Sequence, residues 1–323
     1  DEYKLMGLAA YGNSSTYNLD WLLSINENGY ELNEEYLLKI PQGASSPHVQ
    51  HMLYSDKFTK QIGFNRNVSE EFTGKYADVA AAAQLQLEKA LVSIVKYYLE
   101  KTGKRKICMA GGVALNGLAN QKLSNLDEVD AFYTSPVSSD AGISLGCCYL
   151  ASAELGEIPG KFASPFLGRS FSDHEILSFL EISGVKFRKL LSEEISEEIS
   201  EKLNKNKIVG IFRGRSEFGP RALGNRSILA SPQRKEIKSI LNEKIKLREA
   251  FRPFGAVVKE ELTEQFFIGK AKNSSYMNLV YTCNKNTIEI APGVCHADNT
   301  CRVQTVNKNE NPDLYALLDA CEK

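Results

Sequence analysis

From Tyr76 to Leu99 the apolar residues Val79, Ala83, Leu87, Ala90, Leu91, Ile94, Val95 and Tyr98 recur at helical spacing. That spacing puts them on one face of a helix, and Gly103 supplies its stop. Lys106–Ala110 is a short apolar run of strand length, followed at once by Gly111-Gly112. Asn116–Leu123 reads as a helix, Ala131–Pro136 as a strand and Gly142–Leu155 as a helix. Helix, strand, glycine turn, helix, strand, helix is the rhythm of an α/β layer fold. Residues 1–70 are loop-rich, with short alternating pieces at Tyr30–Leu32 and Tyr36–Ile40 that predict strands.

The pattern breaks after Gly156. Pro159, Gly160, Ser164, Pro165 and Gly168 mark residues 159–168 as a linker between domains at 1–158 and 169–323. Beyond it, Asp173–Ser183 predicts a helix and Val185–Lys189 a strand. Glu193–Asn204 predicts an acidic helix with Ile195, Ile199 and Leu203 on one face. Ile208–Phe212 reads as a buried strand, and Lys235–Leu247 as a helix with Ile237, Ile240, Leu241 and Ile245 inward. Phe254–Val258, Met277–Tyr281 and Arg302–Val306 complete the predicted strands.

Composition narrows the class. With 43% hydrophobic and 24% charged residues in 323, the chain has the apolar surface that a disordered protein lacks. Seven cysteines, an odd number with no CxxC pair, argue for reduced thiols and a cytoplasmic protein rather than a disulfide scaffold. The sequence shows no signal peptide and no apolar run that would span a bilayer, so no membrane partner is expected.

The net charge of −1 hides an asymmetry: residues 205–252 carry 13 Lys+Arg and 4 Asp+Glu. A basic block in a near-neutral protein points to an anionic ligand met in one place. Aromatic residues are not interleaved with the basic ones as stacking platforms, which speaks against nucleic acid. Much of Gln233–Arg248, including Lys238, is expected to be solvated helix face.

Four constellations carry candidate chemistry. Ala110-Gly-Gly-Val-Ala-Leu-Asn116 follows a strand, where glycines let backbone approach a ligand and helix-start N–H groups hold phosphate; a plain turn is the alternative. Ser138-Ser-Asp140-Ala-Gly142 offers a helix cap or a carboxylate at a strand's C-terminal end. Gly214–Ser227 is the strongest, packing Arg215, Arg221 and Arg226 with three glycines and Pro220 after a strand. Lys246, Arg248 and Arg252 add three cations. Arginine forks onto phosphate or carboxylate oxygens, so this set suits a polyphosphate and the charge that develops at phosphorus. The last pieces are the HxxH pair His48 and His51, and His296 in Gly293-Val-Cys-His-Ala-Asp298 near Arg302.

These strings resemble the NodU/CmcH/TobZ-type O-carbamoyltransferases. The resemblance runs in order through Glu2-Tyr-Lys-Leu-Met-Gly-Leu-Ala-Ala-Tyr-Gly12, Ala110–Asn116, Arg213–Ala230, Lys246–Phe254 and Cys301–Val306. It implies part of an actin-like, Kae1/TsaD-like ATPase domain at 1–158 and a YrdC/TsaC-like α/β domain at 169–323. The implied reaction uses carbamoyl phosphate and ATP to form carbamoyl-adenylate, then moves the carbamoyl group to an acceptor hydroxyl. Arg221, Lys246 and Arg302 match the family's catalytic cations, with Arg226, Ser227 and Arg248 as neighbours. Gly111, Gly112 and Asn116 match its adenylate-holding loop, and Asp140 a metal-ligand aspartate. Mg²⁺ and, in the full-length parent, Fe²⁺ or a similar metal are implied cofactors.

The resemblance also implies a central slice of a longer protein. The family's metal histidines sit in an HxxH motif upstream of the Lys4–Gly7 segment, so His48 and His51 look like a decoy. A chain without those histidines is expected to lack full transfer activity and to hold no transition metal at Asp140. An RNA- or nucleotide-binding YrdC-like module without carbamoyl transfer is the alternative.

Overall fold

The computed structural model describes residues 2–38, 54–66, 70–72, 74–158, 160, 162, 164–271 and 273–322. His48 and His51 lie outside them. The chain is a mixed α/β protein with small sheets, divided into compact units at residues 1–105 and 106–323.

In the first unit, α1 (Glu2–Ala9) is followed by a hairpin of β1 (Leu23–Asn26) and β2 (Gly29–Leu32), then α2 (Asp56–Ile62) and the 28-residue α3 (Lys75–Thr102). Helix α3 buries Ala77, Ala80, Ala81, Ala82 and Ala90, and small side chains let other elements come close. Gly12 shows the consequence: a Cβ there would stand 2.0 Å from the Ala77 carbonyl oxygen. Gly103 ends the helix in the left-handed region, as the sequence predicts. The predicted strand at Tyr36–Ile40 is instead a 3-10 turn at Glu34–Tyr36, capped by the Asn33 side chain, and residues 39 and 40 lie outside the described set.

The second unit opens with β3 (Lys106–Met109), α4 (Gly117–Ser124) and β4 (Ala131–Thr134), with β3 and β4 paired in parallel. Helices α5 (Ile143–Glu154), α6 (Asp173–Ile182) and α7 (Ser192–Asn204) follow. No strand forms at Val185–Lys189, where the chain is exposed throughout. Strands β5 (Val209–Phe212) and β6 (Arg226–Leu229) pair antiparallel. After them come α8 (Ile237–Ile240), a π-helical turn at Leu241–Lys246, β7 (Gly255–Lys259), α9 (Thr263–Phe266) and β8 (Phe267–Ile268). Then β9 (Val280–Cys283), α10 (Lys285–Ile290), β10 (Thr300–Val306) and α11 (Pro312–Glu322) close the unit.

Its largest sheet has the order β7-β10-β9-β8. Central β10 runs parallel to β7 and antiparallel to β9, and Arg302 sits opposite Gly255 on one side and Val280 on the other. Alternation along β10 sends Cys301 and Val303 into the apolar core with Ala256, Phe267, Leu279, Tyr281, Cys283 and Cys295. Arg302 and Gln304 therefore point to the opposite face, yet both are buried.

Two further expectations change. The strand at Val209–Phe212 is not buried: Phe212 is 61% exposed, because among the described residues β5 pairs with β6 alone. The helix predicted over Lys235–Leu247 is regular only to Ile240. It then widens into the π turn and stops at Leu247, whose φ is 47°.

Candidate functional site

The loop from Arg213 to Asn225 is built around one carboxylate. Glu217 Oε1 accepts backbone N–H bonds from Leu223 (2.8 Å), Asn225 (2.9 Å) and Arg226 (3.2 Å). Burial alone would push this carboxyl up, but the converging N–H groups hold it below its ordinary value. At the loop's crest Gly219 adopts φ 133°, and a Cβ there would stand 2.7 Å from the Pro136 carbonyl oxygen. No other residue combines that φ with that approach. Gln304 on β10 donates to the Leu223 carbonyl at 2.9 Å, which ties the loop to the buried face carrying Arg302.

The second contributor is the π turn. Asn242 is fully buried and donates to the carbonyls of Ala250 (3.1 Å) and Arg252 (2.9 Å), while its Oδ1 accepts from Arg248 Nε at 2.8 Å. The widened turn thus gives up regular helical geometry to aim Asn242 at the segment that carries Arg248 and Arg252. Sequence reasoning missed both Glu217 and Asn242. The available signal was one polar residue beside each cluster of cations.

The result is a group of four arginines, Arg221, Arg248, Arg252 and Arg302. Arg302 is 9% exposed, and burial followed by the charges of Arg221, Arg252 and Arg248 pulls it down to about 9. Burial and then Arg252 lower Arg221, and the same two causes lower Arg248. Nε of Arg221 and Nε of Arg302 are buried with no hydrogen-bond partner. Glu249 pairs with Arg252 at 3.6 Å. Like charges gathered with open donors are costly without an anion, so the arrangement fits a phosphate-type ligand.

His296 belongs to the same group. Burial, then the charge of Arg302, lowers it to about 4, and Lys238 pushes the same way while Asp298 opposes. Its Nε2 is buried and unpartnered. The unfolded chain takes up a proton here below about pH 6.5, whereas the folded chain refuses it until about 4. Stability should therefore fall as pH drops through that window. Melting curves from pH 7 to 4.5 should show a shallower loss for His296→Gln than for the unsubstituted chain, and identical slopes would refute the assignment.

Other predicted residues are placed differently. The Arg226 guanidinium donates to the carbonyls of Arg213, Asn225 (3.1 Å), Gly214 (3.1 Å) and Arg169 (3.2 Å), and stacks 3.7 Å from the Phe212 ring centre. Arg215 donates to the carbonyls of Gly168 (3.0 Å) and Leu167 (2.7 Å). Both are committed to backbone carbonyls, Arg226 mainly to the loop's own and Arg215 to the segment at Leu167 and Gly168. Ser227 Oγ accepts from the Gly224 N–H at 2.9 Å. Lys246 is exposed at the end of the π turn and is not among the charges acting on Arg302. Lys238, expected on a solvated face, is half-buried and donates to the Cys295 carbonyl at 2.9 Å.

Gly111, Gly112 and Asp140 cluster at the C-terminal end of the β3–β4 pair, where α/β sheets place ligands. Gly111 has φ 96° and donates to the Ser138 carbonyl at 2.6 Å, with open space beside it and beside Gly112. Asn116 caps α4, its Oδ1 accepting from the Ala119 N–H at 3.1 Å. Asp140 is exposed at the first position of a 3-10 turn. Among the described residues no three His, Cys, Asp or Glu side chains gather to hold a metal ion. The described residues alone do not fit a transition metal, which takes three or more protein ligands. Metal analysis of the dialysed chain should give well under one equivalent of iron or zinc. One equivalent lost in Asp140→Ala would overturn this.

A family model described as "Carbamoyltransferase N-terminus" matches residues 1–149, and one described as "Carbamoyltransferase C-terminus" matches residues 200–323. The chain is 31% identical over 333 residues to "Nodulation protein NolO" of Bradyrhizobium diazoefficiens, covering 100% of this chain and 57% of that protein. It is 30% identical over 334 residues to "Nodulation protein NolNO" of Sinorhizobium fredii, covering 100% of this chain and 46% of that one. "Nodulation protein U" of Sinorhizobium fredii is 32% identical over 251 residues, covering 76% and 43%. The chain spans about half the length of the curated relatives it matches. With both models in order along the sequence, the chain belongs to the carbamoyltransferase family.

Proposed function

We propose that this chain is part of an ATP-dependent O-carbamoyltransferase. In this reading its C-terminal, YrdC-like domain at 169–323 hydrolyses carbamoyl phosphate to carbamate and phosphate, and the carbamate displaces pyrophosphate from ATP to give carbamoyl-adenylate. The observation that carries the reading is the four-arginine group with buried, unpartnered Nε atoms on Arg221 and Arg302. Burial favours a small anion over a nucleic-acid backbone, which would need its cations at the surface. Fixed guanidinium groups hold phosphate oxygens in place and stabilise the negative charge that builds there as the carbamate oxygen approaches the α-phosphorus. Lys246, exposed at the end of the π turn, is proposed to reach the bound nucleotide from outside this group. Mg²⁺ would neutralise further phosphate charge when bound with ATP.

The Kae1-like part at 1–158 is proposed to take the adenylate at Gly111, Gly112 and Asn116 and to pass the carbamoyl group to a hydroxyl-bearing small molecule. Supporting this are the exposed Gly111-Gly112 backbone and its place at the ends of parallel strands. The test is ATP–pyrophosphate exchange by the full-length parent with and without carbamoyl phosphate. Exchange should depend on carbamoyl phosphate, and independence would sink the proposal.

A further inference from the structure

His296 presents a ring nitrogen to a site rich in arginine donors. Its position is set by a turn that folds back onto β10: its N–H donates to the Thr300 carbonyl at 2.7 Å, and the Asn299 N–H donates to the His296 carbonyl at 3.1 Å. Thr300 and Arg302 are two residues apart on β10 and so project to one face. The Thr300 hydroxyl lies 2.7 Å from Asp298 Oδ1 and 3.1 Å from His296 Nδ1.

The Thr300–Asp298 contact favours one tautomer. A carboxylate can only accept, so the one hydroxyl proton of Thr300 goes to Asp298. The bond to the imidazole then runs the other way, with Nδ1–H donating to Thr300 Oγ1. Burial and the neighbouring charge of Arg302 keep the ring neutral against Asp298 and the Phe254 carbonyl, which favour its protonated form. Nε2 is left with a lone pair and no proton, out of contact with water and with no protein donor in reach. A buried acceptor of this kind is costly unless a ligand supplies the hydrogen.

The dianionic phosphate of an acyl phosphate offers acceptors only and cannot satisfy Nε2. The missing partner is an N–H on a molecule whose other end is an anion for the arginines. Carbamoyl phosphate has that pairing: an amide NH₂ at one end and phosphate oxygens at the other. Building on the proposed function, we propose that Nε2 of His296 accepts a hydrogen bond from the carbamoyl amide and so distinguishes a carbamoyl donor from other acyl phosphates of the same shape.

The test is calorimetric titration of this chain with carbamoyl phosphate, acetyl phosphate and inorganic phosphate, without ATP. Acetyl phosphate places a methyl where the NH₂ would be. The unsubstituted chain should prefer carbamoyl phosphate by about tenfold, the scale of one well-made hydrogen bond. His296→Leu should bring the affinity for carbamoyl phosphate down to that for acetyl phosphate, and a cooperative melting transition shows that the variant is folded. His296→Gln, whose carbonyl oxygen is again an acceptor, should restore part of it. Equal affinity for the two acyl phosphates in the unsubstituted chain, or a preference surviving in His296→Leu, overturns the inference and leaves the proposed function standing. No binding of any of the three overturns both.

Discussion

Arg221→Lys should lower carbamoyl-adenylate formation by the parent enzyme about 10²–10³-fold and leave the melting temperature unchanged. Arginine makes a planar fork of donors, and at this position Nε is buried without a protein partner. Lysine keeps the charge but cannot place two donors along a phosphate edge. Arg302→Met should cost at least as much activity and yet leave the fold as stable or more so. Arg302 has been pulled down to about 9 by burial first and then by Arg221, so without a bound anion its charge opposes folding. A base lowered on folding contributes that cost in full at neutral pH, and relief comes only as pH rises past about 9. Replacing a buried charge by an apolar side chain of similar volume is often neutral or stabilising. Pyrophosphate exchange and thermal melts on the same samples separate the two effects. A fully active Arg221→Lys, or one inactive only because it unfolds, would make the loop structural.

The long helix α3, the glycine turn after β3 and the strands β7 and β10 were legible because their apolar spacing is local, whereas β9 forms at Val280–Cys283, three residues later than its expected start at Met277. The arginine string was legible as a site because several cations in a Gly/Pro-shaped loop have little other purpose. Which arginine does what was not legible. Arg215 and Arg221 sit in one loop and Arg226 opens the strand that leaves it, yet Arg215 and Arg226 are committed to backbone carbonyls and Arg221 is not. That division depends on where the folded loop leaves carbonyls without partners, which no residue spacing encodes. Lys238 fell on the outward face by helical period, but the Cys295 carbonyl arriving from 57 residues away makes it half-buried. The π turn escaped notice because Asn242 acts through bonds to Arg248, Ala250 and Arg252, downstream of the helix it interrupts.

Glu217→Ala should destabilise the protein by about 3–5 kcal/mol and abolish anion binding with it. One oxygen of this carboxylate satisfies three backbone N–H groups, those of Leu223, Asn225 and Arg226. Alanine leaves all three without a partner in a partly buried loop. The damage spreads because Leu223 is the residue whose carbonyl Gln304 holds, and Arg221 lies two residues before it. Glu217→Gln keeps a carbonyl oxygen in place and removes only the charge, so it should cost about 1–2 kcal/mol. The acid limb gives a second check. Glu217 lies below its ordinary value of 4.5 in the fold, so its contribution is present above that pH and is lost as pH falls through the folded value. Urea unfolding at pH 7 and again at pH 3.5 should therefore show the gap between Glu217→Gln and the unsubstituted chain narrowing in acid. A Glu217→Ala chain with unchanged urea midpoint would mean that the loop is held by its tie to Gln304 and not by its own carboxylate.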